Sequence, residues 1–60
     1  MTNKTNKELK NIMAENEVFA RITEEASARG EFAGGYANSR AIAYYEARNL
    51  LRERGALVEG

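Results

Sequence analysis

Gly30-Glu31-Phe32-Ala33-Gly34-Gly35-Tyr36 is the stretch on which the fold turns. Its three glycines each weaken a helix by roughly 1 kcal/mol relative to alanine, and no proline occurs anywhere to break a helix elsewhere. The segment therefore reads as the connection between two helices, with Gly30 as the stop of the first. Phe32 and Tyr36 lie within it, and large rings in a loop are expected to fold back over the end of the core. A competing reading starts the second helix at Glu31 and uses the glycines as a close-contact surface.

Upstream of the connection, Thr5 and Glu8 have the spacing of a capping box: the threonine oxygen takes an orphan backbone N–H and the glutamate reaches back to the cap. Leu9, Ile12, Met13, Phe19, Ile22 and Ala26 then recur at helical spacing on one broad side, while Lys10, Glu17, Arg21, Glu24 and Glu25 fall on the other. Glu17, Arg21, Glu25 and Arg29 form an i,i+4 ladder of alternating sign, a few tenths of a kcal/mol per pair on a wet face. A helix over about 5–29 follows, preceded by a frayed start at residues 1–4.

Downstream, residues 40–54 are rich in strong helix formers. The start at Tyr36 is possible, but a cap by Asn38 is preferred, giving a second helix over about 38–54. Gly55 supplies a left-handed cap, and Ala56, Leu57 and Val58 an apolar tail able to fold back on the last turn. The expected fold class is all-α: an antiparallel two-helix hairpin in a single small domain. Its apolar coverage exceeds what one hairpin hides, since Val18, Ala20, Ile42 and Tyr45 carry apolar character well round each cylinder. Assembly into a helical dimer or higher oligomer is expected, because contiguous apolar patches mark interaction surfaces and a chain of 60 residues without cysteine needs support of some kind.

Composition removes several functional classes. With neither histidine nor cysteine, nucleophile–histidine triads and zinc or iron–sulfur sites lose their usual residues, so no enzyme activity, metal or cofactor is expected. Glu15 falls between Phe19 and Ile22 on the apolar side, where a buried carboxylate would have a raised pKa; a rim position, or a pair with an arginine, is the stronger reading. Asn16 and Thr23 share that region as a polar strip that sets helix register. The glycine segment does not match a phosphate loop, which follows a strand and ends in Lys-Ser/Thr, although Gly34-Gly35 before a helix start leaves backbone N–H groups for an anion.

Nine basic and nine acidic residues give zero net charge, which leaves no global field to draw in nucleic acid or an anionic membrane. No apolar run reaches membrane-spanning length and none resembles a signal peptide, so a cytoplasmic location without membrane attachment is expected. The richest patch is on the second helix, where Arg40, Tyr44, Arg48 and Arg52 succeed one another at i,i+4 and Tyr45 lies beside them; tyrosine and arginine are the chemistry of interface hot spots. With Leu51 they form the expected partner-binding set. Ile12, Met13, Glu15, Phe19, Ile22 and Ile42 form the expected oligomer interface. The function expected is a regulatory or adaptor module that occupies the surface of a protein partner, either another copy or a different protein. The alternative is a nucleic-acid-binding protein that lays its arginine row along phosphates.

Overall fold

The computed structural model describes residues 2–57 and consists of α1 (Asn6–Ala28) and α2 (Gly35–Glu53), packed antiparallel as a hairpin. α1 begins as its sequence dictates. Thr5 is the cap, its side-chain oxygen accepting from the Glu8 N–H at 3.1 Å while Glu8 Oε1 accepts from the Thr5 N–H at 2.9 Å. The Thr5 backbone N–H holds the Glu8 carboxyl below its ordinary pKa of 4.5, and the Thr5 hydroxyl beside it lowers it further.

α1 stops at Gly30, whose φ of 72° is a left-handed conformation that costs glycine nothing. The Gly30 N–H donates to Ser27 O at 3.0 Å and the Glu31 N–H to Ala26 O at 2.8 Å, the paired bonds of a Schellman motif. The same pair closes α2, from Gly55 to Arg52 O at 3.0 Å and from Ala56 to Leu51 O at 2.8 Å. Ala56 and Leu57 then pack back against the core. Val58, the third residue of the expected tail, lies outside the described residues.

α2 starts three residues earlier than Asn38. No side chain caps it; Gly34, at φ 109°, swings the chain directly into the helix, and the Asn38 N–H closes the first turn on Gly34 O at 3.0 Å. Backbone freedom at the junction replaces the side-chain cap that Asn38 was expected to supply. Tyr36 consequently belongs to the first turn of α2, not to a loop.

The core is small. Leu9, Ala47 and Leu51 are fully buried, with Ile12, Met13 and Leu50 packed against them; Ala20, Ala26 and Ala41 are buried nearer the connection. Alanines there allow the helix axes to approach closely, and little volume is needed to fill the seam. Asn16 is buried among them, yet its amide donates to Ile12 O at 2.7 Å, and Thr23 donates to Ala20 O at 2.9 Å. The expected polar strip across the seam therefore resolves into two bonds inside α1. The Asn16 carbonyl oxygen has no partner, a costly state for a buried acceptor.

Residues 2–4 are held in place by Arg54. Its guanidinium donates to Lys4 O at 2.7 Å, Thr2 O at 2.8 Å and Asn6 Oδ1 at 3.0 Å. The frayed start expected from the polar composition is thus replaced by a clasp between residues about fifty positions apart in sequence.

Candidate functional site

The seam between the helices has two flanks with opposite character. On one, Glu24 accepts a short hydrogen bond from the Tyr45 hydroxyl, Tyr44 meets Tyr45 edge-on with ring centroids 5.2 Å apart, and Glu17 pairs with Arg21 at 3.2 Å. Arg48 joins Glu17, Glu24 and Tyr44 in lining a notch of about 130 Å³ on this flank. The hydrogen bond to Glu24 raises the Tyr45 phenol to about 12, partial burial adding to it. Here Glu24 satisfies the Tyr45 hydroxyl and Glu17 satisfies Arg21.

The other flank is apolar. Phe19 meets Tyr36 edge-on, centroids 5.4 Å apart at 88°, and the Arg40 guanidinium lies 5.9 Å from the Phe19 ring centre. Rings in this arrangement gain from edge-to-face packing, and a cation over a ring face adds to it. Val18 and Ile22 are one turn apart on α1, and Ile22 is three residues from Phe19, so the four side chains form one continuous surface. Much of it faces water: Val18 is 59% exposed, Ile22 42% and Tyr36 71%; Phe32 at 75% and Ile42 at 48% are exposed too. The expectation that Phe32 and Tyr36 cover the end of the core is therefore wrong. Alanines already close the seam near the connection, so the rings have no core space to occupy.

The expected partner-binding row is divided by the seam. An i,i+4 row drifts about 40° per step on a helix of 3.6 residues per turn, so Arg40 and Arg52 lie about 120° apart. Arg40 sits with Phe19 on the apolar flank, whereas Tyr44, Tyr45 and Arg48 sit on the polar one. Arg52 is exposed. Leu51 is no partner contact at all, because it is fully buried in the hairpin's own core.

The expected oligomer interface divides in the same way. Ile12 and Met13 belong to the hairpin core. Phe19 is half-buried, Glu15 and Ile22 are exposed, and these three remain on one side of α1. Glu15 faces water, which excludes the buried carboxylate considered for it. Ile42 lies about 120° round α2 from Tyr36, apart from the apolar flank. Val18 and Tyr36 complete that flank and were not among the expected site residues. The signal for Val18 was present in its i,i+4 spacing from Ile22.

No family model, curated protein or solved structure matches the chain.

A second notch, of about 340 Å³, opens at the far end of the hairpin between Lys10, Met13, Leu51, Ala56 and Leu57. Among the described residues no group of histidine, cysteine, aspartate or glutamate is placed to hold a metal ion, and no helix is long and apolar enough to cross a membrane. Arg54, beyond the arginine row of α2, spends its guanidinium on the N-terminal clasp.

Proposed function

We propose that this chain is a protein-binding module, a regulatory or adaptor unit that acts by occupying a partner's surface through the flank formed by Val18, Phe19, Ile22 and Tyr36. One observation carries the reading: these side chains stay in contact with water after the hairpin has closed. Each large apolar side chain moved fully from water contributes about 1.5–3 kcal/mol, so a partner covering the flank has a substantial driving force that the hairpin leaves unused. Tyrosine and arginine beside an apolar cluster are also the residues on which interface energy concentrates, and Tyr36 and Arg40 both touch Phe19. The polar flank lacks such a surplus, since its groups already pair internally.

The test compares the tagged wild-type chain with Ile22→Asp as baits in the native cell extract. Ile22 is outside the core, so circular dichroism should report an unchanged hairpin. Proteins retained by the wild type and lost from Ile22→Asp support the reading. Identical sets on both baits overturn it, as does retention of nucleic acid alone that falls steeply with salt.

A further inference from the structure

Glu15 and Arg40 border the apolar flank on different helices. Glu15 is one turn before Phe19 on α1, exposed, while Arg40 of α2 lies over the Phe19 ring. Among the described residues neither makes a hydrogen bond or an ion pair, and the Arg40 Nε is shut off from water with no acceptor. The hairpin therefore leaves Glu15 and Arg40, an acid and a base, unneutralised at the edge of the same apolar cluster, with Glu25, three residues after Ile22, a further exposed acid there.

We infer that the occupant of this flank is a second copy of the chain, related by a two-fold axis that sets Glu15 of each copy against Arg40 of the other. The inference rests on the protein-binding reading above and names its partner. In a two-fold interface the same patch serves both subunits, so whatever residue i touches on the partner, the partner's i touches here. Such a patch must be complementary to itself. An apolar centre bordered by both signs meets that condition, whereas a cluster bordered by a single sign repels its own copy. Zero net charge adds no long-range repulsion between two copies. A standard interface takes about 800 Å² from each partner, close to a fifth of the 4237 Å² this chain exposes. The fully buried cluster of Leu9, Ala47 and Leu51 is a small core for a free-standing fold, and chains of this size commonly gain support by association.

The experiment is a charge exchange followed by sedimentation from 5 µM to 1 mM, concentrations chosen as roughly the range in which modest interfaces report. Wild type should dimerise. Glu15→Arg and Arg40→Glu should each weaken the dimer at least about tenfold, since each places like charges together twice. Mixing the two variants should restore association as a heterodimer, because every facing pair is then opposite in sign; the double exchange should restore the homodimer. Ile22→Asp, outside the core, should abolish association while helicity persists, so the inference stays testable even if Arg40→Glu fails to fold. A wild type that is monomeric at every concentration overturns the inference, as do single exchanges without effect or variants that fail to recombine. A monomer whose extract partners still depend on Ile22 sinks this inference alone and leaves the protein-binding reading standing.

Discussion

Replacing Leu51 by alanine should remove a large share of this protein's stability. Leu51 is fully buried against Leu9 and Ala47. The substitution removes three carbons, and at about 0.8 kcal/mol per buried methylene the transfer loss alone is about 2.4 kcal/mol. A cavity term would raise this, as it does in tightly enclosed cores where Leu→Ala costs about 2–5 kcal/mol. Here the site borders the open notch lined by Lys10, Met13, Ala56 and Leu57, so neighbours or water can fill the space and the cost should stay near 2–3 kcal/mol. For a domain of this size about 1 kcal/mol corresponds to about 4–8 °C in melting temperature, giving a drop of at least about 10 °C. Total stability by length is about 3–9 kcal/mol, so the variant should lose between about a fifth and all of it. Urea and thermal unfolding followed by circular dichroism at low concentration measure this directly. Ile42→Ala is the control: half-exposed, it should lose less than about 1 kcal/mol. A Leu51→Ala loss below about 1 kcal/mol, or equal to that of Ile42→Ala, would refute the placement of Leu51 in the core.

Three further outcomes are expected. Thr5→Ala should cost about 1 kcal/mol by removing the cap, and it should weaken a pH dependence through the lost hydroxyl while the residue-5 backbone N–H keeps its larger share. Because the Glu8 pKa is lowered in the folded state, its stabilisation is present above the unfolded value and fades as pH falls through the folded one; acid unfolding of wild type and Thr5→Ala should show the difference. Tyrosine absorbance should reveal a phenol titrating at about 12 that moves toward 10 in Glu24→Gln; because the shift is upward, the contribution of Tyr45 to stability is intact below pH 10 and is lost as pH rises through about 12. An unmoved midpoint in Glu24→Gln would contradict the assignment. Arg54→Ala should free residues 2–4 at a stability cost of about 1 kcal/mol, seen as faster proteolytic trimming and a changed Asn6 side-chain amide resonance; equal trimming rates would remove the clasp.

The hairpin was legible because its punctuation is local. Thr5 with Glu8, and Gly30 and Gly55 after their helices, each act within one turn and need no distant contact. The start of α2 was misplaced because Gly34 does by backbone conformation what Asn38 was expected to do by side chain. Periodicity found the apolar sides of both helices but not how each is divided between seam and surface. That division depends on how the helices roll against each other, and the alanines at 20, 26, 41 and 47 set it by admitting close approach. Leu51 and Ile22 therefore looked alike in sequence and ended in opposite environments. The i,i+4 row from Arg40 to Arg52 looked like one surface because its drift around the helix matters only once a neighbour is in place. The Arg54 clasp joins residues too far apart in sequence for any local pattern to announce.

That clasp has a practical corollary. By drawing residues 2–6 to residue 54, Arg54 gathers the start of α1 and the end of α2 at one pole of the molecule. Ile22 lies sixteen residues along α1 from Asn6, roughly 24 Å away at 1.5 Å per residue. A fluorophore or surface tether attached at an exposed position of that pole, such as Lys7 or Glu53, should therefore point the Val18–Tyr36 flank outward, so immobilised protein presents it to an incoming molecule without obstruction.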